Sequence, residues 1–237
     1  MSLLIPVIFP HEDALVDPNI QALTGFDIVL FGYWPTPDGV DPTVVCRDHA
    51  VEAEAELYEL AARFSRAGAS TDIQLHFGPS GKRMTALQSL IVEETNADAV
   101  VVPKQITLWN NVLVPFRDDR NVGRIVEFLG AFNQERMFAL ELFHVASEES
   151  DIKAAQEMLG GVAQSLLKRG FTGTDLEITV EVATDPETAI VEQATSHNVV
   201  VIGETEEQPE SDRFFGSTYE RIAERTDVPV TVVRSRR

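Results

Sequence analysis

Two stretches of this chain recur in the same order. Leu3-Leu4-Ile5-Pro6-Val7 is matched by Val112-Leu113-Val114-Pro115-Phe116, each a short apolar run with proline at its fourth position. Ile91–Val102 is then matched by Ile190–Val201 at nearly the same offset. Ordered self-similarity of this kind marks repeated folding units, so the sequence divides into two lobes, residues 1–109 and 110–237. Within each lobe short apolar runs alternate with longer amphipathic ones, which predicts βα units wound into a mostly parallel α/β sheet.

In the first lobe, strands are expected at Leu3–Phe9, Asp27–Tyr33, Ile73–Phe77 and Ala99–Val102, with helices at Asp48–Ala67 and Lys82–Thr95. The first helix has Val51, Ala55, Tyr58 or Leu57, Ala62 and Phe64 on its core side, and Gly68 ends it. The second lobe repeats the pattern with strands at Val112–Phe116, Met137–Val145, Glu177–Val182, Val199–Ile202 and Val230–Val233. Its helices fall at Asn121–Asn133, Asp151–Lys168, Pro186–Thr195 and Ser217–Arg225, with Asp185 capping Pro186 and a Ser217/Glu220 capping box. After Val102 only Pro103–Asn110 precede the second lobe, too few for a loop, a helix and a fifth strand. The first lobe is therefore degenerate.

The formal net charge is −19, and only four of the 19 basic residues are lysines. Such a surface repels nucleic acid and anionic membrane. Its carboxylates are spread along the whole chain, which reads as an adaptation to high salt, where self-repulsion is screened; an ordinary acidic protein is the plainer reading. Cys46 is the sole cysteine and excludes internal disulfides and thiolate clusters. With no membrane-length apolar run and no signal-like N-terminus, a cytoplasmic location is expected.

The chemistry-bearing segment is C-terminal. Gly203 closes the run Val199–Ile202, and Gly216-Ser217-Thr218 opens the last helix. A glycine at a strand's end admits close backbone approach, and a helix start aims N–H groups and hydroxyls at an anion. The intervening residues Glu204–Arg213 carry five carboxylates and one arginine. They read as a solvated charge run, or as hard oxygen ligands for a cation without EF-hand spacing. The five histidines show no metal-ligand spacing, and His144 reads as a hydrogen-bonded strand-end residue. No nucleophile–base pair stands out.

In element order and in these residues the chain resembles the universal stress protein family, in a tandem form with a degenerate first lobe, similar to haloarchaeal members. The resemblance rests on Asn111–Phe116, Leu142-Phe143-His144-Val145, Asp185–Ile190 and the run from Val199 to Val233. It implies two doubly wound sheets of the adenine-nucleotide α-hydrolase type and a non-catalytic stress or regulatory role. ATP-binding members carry Gly-x2-Gly-x9-Gly-Ser/Thr, which falls here on Gly203, Glu206, Gly216 and Ser217, so the middle glycine is replaced. The family's nucleoside-reaching aspartate aligns with Arg117, followed by Asp118 and Asp119, and with Ile8 in the first lobe. A carboxylate ~4 Å from a phosphate charge costs roughly 4 kcal/mol at an effective dielectric of about 20. The site implied is therefore Gly203, Gly216, Ser217, Thr218, Arg117 and Asp118, for ATP or ADP with Mg2+. The resemblance also implies a homodimer through Val230–Val233, or lobe-on-lobe packing that mimics one. Two rival readings remain: a ligand-free module meeting an unidentified protein partner through its acidic loop and edge strand, and a hydrolase of the adenine-nucleotide fold.

Overall fold

The computed structural model describes residues 1–10, 15–79, 97–102, 109–136, 139–204 and 217–235. The first half contributes β1 (Ser2–Ile8), α1 (Asp17–Ala22), β2 (Asp27–Thr36), α2 (Pro42–Ala67), β3 (Ser70–Pro79) and β4 (Ala99–Val102). The second contributes β5 (Asn111–Pro115), α3 (Val122–Leu129), β6 (Ala139–Ala146), α4 (Ile152–Leu167), β7 (Leu176–Val182), α5 (Pro186–Ala194), β8 (Val199–Gly203), α6 (Ser217–Arg225) and β9 (Val230–Val233). The expected helix Lys82–Thr95 lies outside the described residues.

These strands form one nine-stranded sheet in the order β3-β2-β1-β4-β9-β8-β5-β6-β7. All neighbours are parallel except β4 and β9, which pair antiparallel from Ala99↔Val233 to Val102↔Val230. The two sheets expected of the fold thus share an edge, and their strands run in opposite directions. An edge position for Val230–Val233 is not what the structure has. The first half stops at β4 and leaves that strand's hydrogen-bonding groups open; β9 satisfies them while its other side pairs with β8.

Alternation along the strands builds one core on each sheet face, and both cores cross the seam. Leu3, Ile5 and Val7 share a cluster with Val112, Val114 and Val233. Leu4, Val100, Leu113, Val200 and Val232 belong to the other. Away from the strands the halves also interlock through aromatic rings. Phe26 lies 5.0 Å from Phe128 and 5.1 Å from Phe132, centroid to centroid. Beside them the Asn133 N–H donates to the Ala22 carbonyl at 3.0 Å.

Helix α2 corrects one expectation. Its buried residues are Val45, Ala53, Leu57, Leu60 and Phe64, whereas Val51 and Tyr58 are 81% and 63% exposed and Ala55 and Ala62 are exposed too. Only Leu57 and Phe64 of the expected face point inward. Each large side chain of the true face contributes roughly 1.5–3 kcal/mol on burial, and contact with the sheet decides which face that is. The helix also starts earlier than expected, at Pro42, because Asp41 caps it by accepting from Thr43 N at 2.8 Å. Gly68 ends it at φ +99, a left-handed cap.

Candidate functional site

The two prolines of the repeated run have a structural purpose. β5 pairs with β8 only at Val112↔Val199 and Leu113↔Val200, whereas on its other edge β8 stays paired with β9 from Val200↔Val230 to Gly203↔Val233. Phe116 N donates to Phe143 O on the β6 side, so by strand alternation Pro115 would point a donor towards β8, where the ladder has ended. Proline has no N–H to leave orphaned there. Pro6 stands in the same relation to β4, whose pairing with β1 ends at Leu4↔Val100. The strand order reverses at each of these points, and the carboxyl ends diverge into a crevice, the usual ligand position in open α/β sheets.

Because the halves run in opposite directions, the two crevices open at opposite ends of the sheet. At the carboxyl ends of the first half's strands, Phe9 stacks on Trp34 at 5.3 Å and Trp34 on His49 at 4.3 Å, centroid to centroid. Phe77 lies 6.3 Å from Trp34. Aromatic rings pack this end, and Ile8 offers no polar group.

In the second half the crevice lies between Phe116–Asn121 and Ile202–Glu204. Gly203 and the Arg117–Asp118 loop are brought to its two walls, and Asn121 bridges them: its Nδ2 donates to Glu204 O at 3.0 Å. A Cβ on Gly203 would come within 3.1 Å of Asn121 Cβ and Nδ2, so Asn121 is the neighbour that Gly203 accommodates. Asp118 is held by Arg120, whose Nη2 and Nε lie 2.6 and 3.0 Å from Oδ2. The Arg120 bond, helped by the nearby Arg117 charge, keeps the Asp118 carboxyl below its ordinary range. His144 donates from Nδ1 to Phe116 O at 2.8 Å, since a carbonyl can only accept. That is the strand-end role expected of it.

Ser217 and Thr218 sit on the return path. β8 and β9 are parallel, so their connection must bring the chain back to the amino edge, and α6 makes that return starting from the carboxyl edge. The helix begins at Ser217, as the sequence indicates. Gly216 and Glu206 lie outside the described residues, as do the side chains of Ser217, Thr218 and Glu220 and hence the capping box. Asp185 does cap α5, accepting from Thr188 N at 3.3 Å and Oγ1 at 2.8 Å, which lowers its pKa.

Sequence reasoning named Arg117 but not the three other arginines, Arg120, Arg124 and Arg234, that the structure places at this end of the sheet. Arg124 joins α3 to Asp98 of the first half at 2.7 Å and to the Arg234 carbonyl at 3.4 Å. Arg120 is paired with Asp118 and Arg124 with Asp98 and Glu127, so these guanidinium groups lie among carboxylates that offset their charge. The signal was spread over residues far apart in sequence. A separate cavity of about 430 Å³ opens beyond β6 and β7, lined by Ser147, Glu181, Asp185, Thr188 and Glu192 among others. Its carboxylates and its already capped helix oppose a phosphate.

The described residues contain no group of three or more His, Cys, Asp or Glu placed to hold a metal ion. No helix among them is long and apolar enough to cross a membrane. Residues 109–234 match the family model for the universal stress protein family. The chain belongs to the universal stress protein family. A universal stress protein from Archaeoglobus fulgidus shares the fold at a TM-score of 0.58 and 15% identity, covering 98% of this chain and 96% of that one. A putative universal stress protein from Pseudomonas aeruginosa does so at 0.52 and 14%, covering 98% and 92%. A universal stress protein from Archaeoglobus fulgidus solved in complex with dAMP has a TM-score of 0.42 at 19% identity, covering 54% of this chain and 99% of that one. No curated protein matches the chain.

Proposed function

We propose that this universal stress protein is a non-catalytic, cytoplasmic regulatory protein that binds an adenine nucleotide in the crevice between β5 and β8. Residues 1–109 form a degenerate lobe and residues 110–237 the complete one. Gly203 and the start of α6 at Ser217 and Thr218 serve the phosphates, with Gly216 between them in sequence, while Arg117 and Asp118 lie towards the nucleoside. The observation that carries this reading is the end of the β5–β8 ladder before Pro115, with Gly203 and the Arg117–Asp118 loop on its two sides. Mg2+, where present, arrives on the nucleotide's phosphates, since the described residues provide no metal cluster.

The test is calorimetric titration of ATP and ADP with Mg2+ in molar KCl, on the natural chain and on Arg117→Glu. Binding that weakens about tenfold in the variant supports the site; unchanged affinity places the nucleotide elsewhere, and no heat with either protein removes the nucleotide reading.

The rival reading as a ligand-free interaction module loses its edge strand, because β9 is paired on both sides. The same pairing supports lobe-on-lobe packing in place of a homodimer through that strand. Light scattering should accordingly give the monomer mass of 26.2 kDa, and a mass twice that would restore the homodimer.

A further inference from the structure

Helix α2 is apolar on two sides. Its inward line, Ala53, Leu57, Leu60 and Phe64, is buried. A second line, Val44, Val51, Ala55, Tyr58 and Ala62, recurs at intervals of 7, 4, 3 and 4 residues, the spacing that returns to one side of a helix. From Val51 onward each position of this line lies two residues, about 200°, from one of the first, so it faces away from the sheet. All five side chains are exposed, Val51 to 81% and Tyr58 to 63%. Single exposed apolar side chains are ordinary on a protein surface, but a continuous line about 27 Å long is not. Helix propensity does not account for it either, since valine and tyrosine are poorer helix formers than the glutamates beside them.

The borders of the line are acidic. By helical spacing Glu52 and Glu59 fall on one side of it and Glu54 on the other, all three exposed. Nearby arginines are engaged or set apart: Arg47 Nε lies 3.1 Å from Asp48 Oδ1, Arg63 Nη2 lies 2.7 Å from Asp17 Oδ1, and Arg66 belongs to the last turn, beyond Ala62. We propose that the outward side of α2 is a docking surface for an amphipathic helix of a partner protein. That helix is apolar along the side that meets Val51, Ala55 and Tyr58, and bears lysine or arginine where it meets Glu52, Glu54 and Glu59. Tyr58, large and with few torsions to immobilise, is the anchor. The small residues Ala55 and Ala62 beside it leave hollows for the partner's larger side chains, as helices packed about 8–10 Å apart require. A second copy of this chain would set the same carboxylates against one another, on molecules that each carry a net charge of −19. The charge pattern therefore selects a basic partner. The surface uses no residue of the β5–β8 crevice, so it stands apart from the nucleotide reading.

The experiment is calorimetric titration of the full chain with a synthetic helical peptide of about 21 residues, with leucine at heptad positions a and d, lysine at e and g and alanine elsewhere. A twin peptide with glutamate at e and g is the control, and the buffer holds about 0.3 M KCl, where charges still act over roughly 6 Å. The natural chain is compared with the double variants Val51→Ala/Tyr58→Ala and Glu52→Gln/Glu59→Gln; these side chains face solvent, and an unchanged melting temperature verifies that the fold is kept. The expected result is one-to-one binding of the lysine peptide that weakens about tenfold or more in the apolar variant and about three- to fivefold in the charge variant, with the glutamate twin at least about tenfold weaker. Equal affinity of the natural chain and the apolar variant would place the peptide elsewhere on the acidic surface and overturn the proposal. Equal binding of the two peptides, or no heat with the lysine peptide, overturns it as well. Light scattering that gives twice 26.2 kDa for the natural chain and the monomer mass for the apolar variant assigns the surface to a second copy, which also overturns it.

Discussion

Arg124 Nη2 stands 2.7 Å from Asp98 Oδ1, and the two side chains are only 16% and 12% exposed. One lies on α3 of the second half, the other just ahead of β4 of the first, so the pair fastens the seam at the end where the candidate site opens. Asp98 also accepts from Ser2 N at 2.9 Å, and Arg124 reaches Glu127 at 2.5 Å. Asp98→Ala leaves a largely shielded guanidinium short of a partner. The expected loss is about 2–3 kcal/mol in urea denaturation, the range for hydrogen bonds to charged groups. Combined with Arg124→Ala it should cost less than the sum of the two; strict additivity would show that the pair is not coupled.

Gly25 meets the seam from the other side. A Cβ there would fall 2.0 Å from the Ala131 carbonyl oxygen, a backbone atom that cannot rotate aside. Gly25→Ala is expected to destabilise by about 2–4 kcal/mol, since the Phe26, Phe128 and Phe132 rings must separate to relieve the contact. A thermal melt within a degree of the natural chain would show that the halves are not pressed together there.

Thr231 is fully buried in β9, and its hydroxyl has no hydrogen-bond partner. Replacing it with valine keeps the β-branched shape and removes the unpaired oxygen, so Thr231→Val should stabilise by roughly 1 kcal/mol. Equilibrium urea curves with an unchanged slope are the measurement; a loss of stability would mean that the hydroxyl is satisfied in solution.

Much of this architecture was legible in the residues because strands follow apolar runs bounded by turns. Ala99–Val102 and Val230–Val233 match the sequence reading residue for residue. Helix α2 shows where such reading stops. Residues 53, 57, 60 and 64 and residues 51, 55, 58 and 62 repeat with the same spacing, one apolar stripe rotated from the other, and only contact with the sheet selects between them. The Asp-Pro start expected at Asp185-Pro186 also opens α2 at Asp41-Pro42, whereas in α1 the cap position is Val16 and Asp17-Pro18 lie within the helix. For the site, Gly203 was visible as a strand-end glycine. Asn121 was not, since its bond to Glu204 spans 83 positions and no local pattern announces it.

The charge of −19 sets an expectation about ions. Raising KCl from about 0.1 M to about 1 M shortens the screening length from about 10 Å to about 3 Å, which weakens self-repulsion in the folded chain. The melting temperature should rise over that interval and the protein should lose monodispersity at the low end. A melting temperature independent of salt would return the composition to that of an ordinary acidic protein.

Asp118 supplies a pH dependence. Its pKa is lowered, chiefly by the Arg120 side-chain bond, so it binds its proton less readily folded than unfolded. The associated stabilisation is fully present above the ordinary carboxylate value of about 3.9 and is lost as pH falls through the lower folded value. Asp118→Asn should melt slightly lower than the natural chain at neutrality and converge with it as pH falls from about 5 to about 2, which flattens this part of the acid limb. An identical acid limb in the two proteins would show that the Arg120 contact does not persist in solution.

The closing of β4 by β9 also orders events during synthesis. Val102 and Val230 are 128 positions apart, a distance a ribosome covers in roughly 6–26 seconds at about 5–20 residues per second. Throughout that interval the β4 strand has emerged with a bare, apolar edge whose partner does not yet exist. The first half cannot finish folding ahead of the second. Its completion waits for the last few strand residues, and until then the nascent chain presents the kind of exposed β edge that chaperones shield and aggregates exploit.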